Sequence, residues 1–142
     1  MKGIVIGCGR VGSAIALALE LDREGWEVNV IDEREEALDR LGDNWGGGFL
    51  IGHGMDSGVL RAAGIEDADA VVVSTNGDNT NIVIGQVVKK RYGIDCVVVR
   101  VLDPARAEFY AKRGMQTVCP TQTAIESLAE AVRASQKQEV SA

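Results

Sequence analysis

KGIVIGCGRVGSAIALAL, residues 2–19, is the stretch from which the fold is read. A short apolar run breaks into Gly7-Cys8-Gly9-Arg10-Val11-Gly12, and apolar residues at helical spacing follow at once. A G-x-G-x-x-G pattern is weak evidence when isolated. Placed between a strand and the helix it opens, it marks the first βα turn of a dinucleotide-binding unit. Gly7 permits the tight turn, Gly9 lets the backbone approach a pyrophosphate, and Gly12 lets the helix pack on the sheet. Unpaired N–H groups and the positive dipole end at the helix start then face the phosphates.

Outward from that stretch, short β-branched runs alternate with longer segments of helical period along the chain, as in α/β proteins with a parallel sheet. Strands are expected at 3–6, 27–31, 49–51, 70–74, 96–101 and 117–118. Helices are expected at 11–23, 34–41, 57–63, 79–92, 104–113 and 123–135. Gly25, Gly64, Gly93 and Gly114 follow last helical turns, and Pro104 sits at a helix start. Right-handed crossovers then predict a doubly wound, Rossmann-like parallel six-stranded sheet of order 3-2-1-4-5-6. The Trp45-Gly46-Gly47-Gly48 stretch reads as a loop, and the polar tail from Ser135 to Ala142 as frayed.

The composition narrows the function. The 142 residues suffice for one core, and 15 basic against 21 acidic residues give a net charge of -6. That balance, with no local Lys/Arg cluster, argues against nucleic acid and anionic membrane surfaces as partners. No secretory leader is read at the start, and no apolar run approaches the ~20 residues that span a bilayer. Cys8, Cys96 and Cys119 form no C-x-x-C pair. They are read as small buried hydrophobes in a reduced cytoplasm, with redox sensing by Cys8 as the minor alternative.

Candidate ligand contacts cluster after the strands. Asp32 closes the second strand twenty residues after Gly12, where a carboxylate can accept from both ribose hydroxyls; the alternative is a cap for the helix near Arg34. Glu33 beside it joins the candidate set. A 2′-phosphate would face Asp32, so NADP is expected to bind less well than NAD, ATP, ADP or AMP, with Arg34 as an opposing cation. Gly52-His53-Gly54-Met55-Asp56 puts small and polar residues where adenine would lie. Asp56 serves the base or caps the helix at Ser57, and His53, the single histidine, reads as structural or solvated. Ser74-Thr75-Asn76-Gly77-Asp78-Asn79-Thr80-Asn81 falls at the switch point between strands one and four. There Thr75 and Asn76 face phosphate or ribose, and Asp78 is expected to cap the next helix. Arg100 ends an apolar strand and either pairs with an acidic neighbour such as Asp103 or contacts the phosphate or nicotinamide side.

Catalytic signatures are missing: no phosphate loop of the G-x-x-x-x-G-K-[ST] type, no serine nucleophile elbow, no Cys/His dyad. A dehydrogenase also needs a substrate domain after the nucleotide fold. The reading is therefore a binding module that is not an enzyme, with a small NAD-dependent oxidoreductase, or a fragment of one, as the alternative.

With these residues in hand, the sequence resembles the RCK N-terminal domain (TrkA-N, or KTN) of Trk/Ktr-type potassium uptake regulatory proteins. The resemblance runs from Lys2 to about Ala131. It rests on Gly7 to Gly12, Asp32, Gly52-His53-Gly54-Met55-Asp56, Ser74 to Asp78 followed by Asn81, and Val99-Arg100-Val101-Leu102-Asp103-Pro104. It implies a cytoplasmic regulatory subunit, binding NAD(H) or an adenine nucleotide (ATP, ADP or AMP), on the inner face of the membrane under a potassium-translocating membrane subunit. It also implies a dinucleotide-binding domain over 1–120, and over 121–142 a crossover and dimerisation helix with a polar tail. By resemblance Arg10 would reach the phosphates, Asp32 would hold ribose, Asp56 and Asn76 would flank the adenosine, and Arg100 would sit near phosphates or the dimer contact. The family's smaller C-terminal domain is not seen, so a ligand read there is lost or supplied by a second RCK-type chain. Pro120-Thr121-Gln122 stands where some members place a cation-holding carboxylate.

The last helix carries Ala124, Ile125, Leu128, Ala129 and Val132 at helical spacing. That stripe predicts a homo-oligomer, at least a dimer, and the resemblance implies a dimer or a higher ring. The alternative is that it covers the sheet edge within one subunit.

Overall fold

The computed structural model describes residues 1–21 and 25–141, with side chains described to residue 136. Strands β1 (Lys2–Ile6), β2 (Glu27–Asp32), β3 (Gly48–Ile51), β4 (Ala70–Val73), β5 (Cys96–Arg100) and β6 (Gln116–Val118) form one parallel sheet of order β3-β2-β1-β4-β5-β6. Helices α1 (Arg10–Glu20), α2 (Ser57–Ala62), α3 (Asp78–Tyr92), α4 (Pro104–Ala111) and α5 (Pro120–Ser141) complete it, with 3-10 turns at Glu35–Leu41 and Ile65–Asp67. The expected doubly wound order is the one found. β1 lies at the centre because Gly3–Ile6 pair with Val28–Ile31 on one side and Ala70–Val73 on the other.

Side chains alternate across the sheet, and the two faces are buried by different elements. Ile4, Ile6, Ile31, Val71, Val73, Val97 and Val99 join Leu60, Ile82, Ile84 and Val88 in one core under α2 and α3. Val5, Val28 and Val30 join Ala16, Ala37 and Leu41 in a second core under α1 and the 3-10 turn. The chain passes from one face to the other between β3 and β4. That reversal leaves a crevice beyond the carboxyl ends of β1 and β4.

Several boundaries differ from expectation. The first helix was read to residue 23, and its end from residue 22 lies outside the described residues. Residues 35–41 form a 3-10 turn rather than an α-helix: Ala37 donates to the Arg34 carbonyl at 3.2 Å and Gly42 to the Asp39 carbonyl at 3.3 Å. The tighter coil seats Ala37 and Leu41 in the core. The last helix starts at Pro120, earlier than read, because Cys119 acts as its cap: its Sγ accepts from Gln122 N at 3.4 Å and its carbonyl from Thr123 N at 3.2 Å. The segment read as a frayed tail continues α5 as helix to Ser141.

α5 stands off its own sheet. Ile125, Leu128 and Val132 are 52, 69 and 61% exposed, so the stripe does not cover this subunit's sheet edge. Correspondingly, the α1 side of β4, β5 and β6 is under-covered: Val72 and Val98 are half-buried, and Cys96 and Val118 are exposed. Cys96 therefore departs from the buried role expected of all three cysteines, Cys119 is half-buried, and Cys8 is fully enclosed. Among the described residues no helix is long and apolar enough to cross a membrane.

Candidate functional site

The glycine turn has a steric cause at each end. Gly7 sits at φ +100, where a Cβ would also lie 2.5 Å from the Ser74 carbonyl oxygen. A Cβ on Gly12 would come within 1.8 Å of the Gly7 carbonyl oxygen, so only glycine lets α1 start this close to β1. Around Gly9 nothing lies within 4 Å of an added Cβ: its backbone faces open space. α1 has no side-chain cap and no acidic residue in its first turn, so its leading N–H groups remain available to an anion.

That turn forms one wall of a cleft of about 680 Å3 at the switch point. Of the residues singled out by sequence, Gly7, Cys8, Gly9, Asp32, Glu33, Gly54, Thr75 and Asn76 line it together. Asp32 is held in place by main chain: Cys8 N donates to Oδ2 at 2.7 Å and Arg34 N to Oδ1 at 2.8 Å. Its carboxylate thus ties the end of β2 to the glycine turn, and no side-chain cap is made to the 3-10 turn. The Cys8 thiol donates to the Ala37 carbonyl at 3.3 Å. Burial, then the Asp32 charge, raise the thiol above its ordinary range, with Arg40 opposing. A thiol so held is a poor nucleophile, which argues against a redox role for Cys8.

Six other residues of the candidate set are not brought into the lining. Gly12 is buried beneath the turn; Arg10 and Val11 are exposed on α1. Met55 is 44% exposed. Asp56 caps α2, its Oδ1 accepting from Gly58 N at 2.8 Å and Val59 N at 3.4 Å, so the capping alternative describes its observed bonds. Arg100 does not pair with Asp103. Its Nη2 donates to the Thr75 carbonyl at 2.5 Å, while Asp103 pairs with Arg106 at 3.8 Å.

Asp78 corrects the expectation that it caps α3. Gly77 holds the cap position, and the Asp78 carboxylate accepts from Leu102 N at 2.7 Å and Asp103 N at 3.0 Å. At the first helical position it faces the neighbouring loop, whose free N–H groups outcompete its own helix. Asn81, 1% exposed, locks the same corner. Its Oδ1 accepts from Thr75 N at 2.9 Å and from the Thr75 hydroxyl, and its Nδ2 donates to the carbonyls of Thr75 at 3.1 Å and Arg100 at 2.9 Å.

The sequence reading did not assign Arg40, Glu36 or Ile84 to the cleft, which they line, as do Ser74 and Thr80 of the stretch placed at the switch point. His53, set aside as structural, lines it too. Its Nδ1 accepts from Met55 N at 3.1 Å, and Nε2 faces Glu33 at 3.6 Å.

A doubly wound parallel sheet with an uncapped helix start at its switch point and a carboxylate closing β2 beside it defines a dinucleotide-fold domain. A family model described as the TrkA-N domain matches residues 3–121, and the chain belongs to that family. It is 44% identical over 118 residues to the Trk system potassium uptake protein TrkA of Streptomyces coelicolor, covering 83% of this chain and 52% of that protein. To the protein of the same name from Vibrio alginolyticus it is 34% identical over 104 residues, covering 73% and 22%. The chain thus spans about half the length of the first relative and less of the second. Similar solved structures include the C-terminal domain of Shewanella denitrificans Kef in an AMP-bound form, at TM-score 0.78, 21% identity, and 94% and 81% coverage of this chain and that one. The GsuK channel bound to NAD matches at TM-score 0.78 and 22% identity, covering 95% and 24%. These two likenesses concern the fold.

Proposed function

We propose that the chain is the nucleotide-binding part of a regulatory subunit of a Trk/Ktr-type potassium uptake system, sensing NAD(H) or ATP, ADP or AMP without turning it over. The observation that carries this reading is the cleft in which the Gly7–Gly9 backbone, the free N–H groups of α1 and the pinned Asp32 carboxylate converge. Those groups suit a phosphate and a ribose. Family membership and relatives named as potassium uptake proteins support the transport setting. The cleft offers no nucleophile paired with a base, which favours binding over catalysis. The test is mass spectrometry of nucleotide released from the denatured protein, with binding measured in parallel. Binding without any change in reduced-nicotinamide absorbance across substrate panels supports the reading; turnover of any substrate overturns it.

Within that reading Asp32 holds the ribose hydroxyls. Asp32→Ala should weaken AMP and NAD by about 1.5–3 kcal/mol, the worth of a charge-assisted hydrogen-bond set. Unchanged affinities in titration calorimetry would remove Asp32 from the site.

The subunit would act as a homodimer or higher ring on the cytoplasmic side of a potassium-translocating membrane partner, with the exposed stripe of α5 as its contact. Arg10, exposed at the start of α1 beside the cleft-lining Gly9, would reach the ligand phosphates, across the dimer in this reading. Ligands of different phosphate charge then favour different dimer geometries. A hundredfold population shift requires about 2.7 kcal/mol of differential affinity. Small-angle scattering should therefore differ between ATP and ADP or between NAD and NADH for the wild type, and Arg10→Ala should abolish the difference. Superimposable wild-type profiles, or a monomer mass by sedimentation at micromolar concentrations, would overturn the gating idea.

A further inference from the structure

All six strands run parallel, so a helix that follows one strand returns to the opposite end of the sheet before the next. The cleft lies beyond the carboxyl ends, whereas α3 and α4 finish beside the amino ends, shortly before β5 and β6. α3 closes on Lys89, Lys90 and Arg91, and Lys112 and Arg113 follow α4. Cations are favoured at helix carboxyl ends, and here two such ends are adjacent. Lys89 Nζ donates to the Gly114 carbonyl at 3.2 Å, which joins them. All five residues are exposed. Phe109, 46% exposed, has the Arg113 guanidinium 3.4 Å from its ring centroid, so an apolar surface sits among the charges.

The carboxylates at this end do not cancel the cluster. Glu108 pairs with Lys112 at 3.1 Å, and Glu66 with Arg61 at 3.4 Å. Asp69 accepts the Lys2 main-chain N–H at 2.7 Å, and Asp95 stands exposed between α3 and β5. Lys89, Lys90, Arg91 and Arg113 have no carboxylate within ion-pair distance among the described residues. The net charge of -6 argues against an anionic partner only if the charge is spread evenly, and it is not. Residues 79–119 hold seven Lys/Arg and three Asp/Glu, whereas residues 27–43 hold two and seven. The first group belongs to α3, β5 and α4, the second to β2 and the turn after it. From β2 to β5 is three strand spacings, about 14 Å, beyond the ~8 Å over which exposed charges act at physiological salt. A flat anionic surface brought to the α3–α4 end therefore meets a net positive face, against the expectation drawn from composition.

We propose that the face formed by Lys89–Arg91 and Lys112–Arg113 docks directly on the anionic headgroups of a lipid bilayer, with Phe109 at the headgroup boundary. The nucleotide cleft then faces away from the bilayer. Long, exposed cations around one aromatic ring suit a fluid headgroup layer, which attracts by charge and demands no fixed geometry. This contact is additional to any attachment through a membrane partner. It rests on the membrane-side setting of the proposed function and not on the cleft.

The test is flotation of the wild-type chain with vesicles of equal parts phosphatidylglycerol and phosphatidylcholine, or of phosphatidylcholine alone, at low and high salt. Binding to the first only, lost at high salt, is expected. Each basic residue at such a surface contributes roughly fivefold, so Lys90→Gln/Lys112→Gln should weaken vesicle binding about twentyfold. Arg106→Gln/Arg133→Gln, at the start of α4 and on α5, changes the net charge equally and should leave binding unchanged. All four residues are exposed, and thermal unfolding checks that both variants keep the fold. Equal weakening by the two variants would assign the effect to overall charge and overturn the docking face. So would a wild type that floats with neither vesicle, one that binds duplex DNA as tightly as the anionic vesicle, or one in which Lys90 and Lys112 serve only salt-sensitive self-association by sedimentation. In each of these cases intact AMP binding leaves the nucleotide reading standing, and vesicle binding without AMP binding overturns that reading alone.

Discussion

Gly12→Ala should lose about 3 kcal/mol or more of folding stability, as expected for overpacking against an immovable neighbour. The added Cβ would stand 1.8 Å from the Gly7 carbonyl oxygen and 2.9 Å from its carbon. Both atoms are main chain, so no rotamer change relieves the clash, and α1 must lift off β1. Lifting it separates Ala16 from Val5, Val28 and Val30 in the core beneath. Gly9→Ala is the control. Its backbone is extended, at φ -82 and ψ -163, and an added Cβ meets nothing within 4 Å. Stability should stay within about 0.5 kcal/mol of wild type while nucleotide affinity falls, because the methyl group stands where the phosphates approach. Urea unfolding and AMP titration of the two variants separate the roles. Equal stability of Gly12→Ala and wild type would refute the packing account, and unchanged AMP affinity in Gly9→Ala would refute the phosphate account.

Asn81→Leu should be of similar cost, about 3–4 kcal/mol, because it strands several buried polar groups at once. The amide matches its surroundings at both ends: the oxygen takes two donors from Thr75, and the nitrogen serves the carbonyls of Thr75 and Arg100. Leucine keeps the volume and offers none of these. Arg100 would still donate to the Thr75 carbonyl, but the Thr75 N–H would be left without an acceptor. The loop at the end of β4 should then open toward solvent, since water becomes its only partner. Hydrogen exchange at the Thr75 amide should accelerate well beyond the change in global stability, and AMP affinity should drop with it. A Thr75 amide as protected as in the wild type would show that Asn81 does not hold this loop.

The glycine turn, the order of the strands and the position of Asp32 were readable because each depends on local chemistry. A strand of β-branched residues, a turn whose glycines exclude side chains and a helix of regular period announce themselves within a dozen residues. Residues with two local uses were harder. Asp56 caps its own helix as its neighbours suggested, whereas Asp78, in the same kind of setting, turns to Leu102 and Asp103, 24 and 25 residues away. No pattern around Asp78 distinguishes the two outcomes, because the competing donors belong to another loop. The Asp103 partner read for Arg100 was offered for want of any sign that Thr75 presents a carbonyl across β4 and β5. The apolar stripe of α5 was legible, but whether it covers its own sheet was not.

The sequence by itself determined the α/β class, the sheet order and the glycine turn, since backbone conformational preference and side-chain period act over a few residues. Only the tertiary structure decided that residues 35–41 wind as a 3-10 coil, that Asn81 and Arg100 hold the Thr75 loop, and that α5 stands free. Those outcomes depend on the distance between elements far apart in the chain. A short connection fixed at both ends adopts whichever coil fits the gap, and a buried polar group pairs with whatever donor or acceptor the packing brings to it.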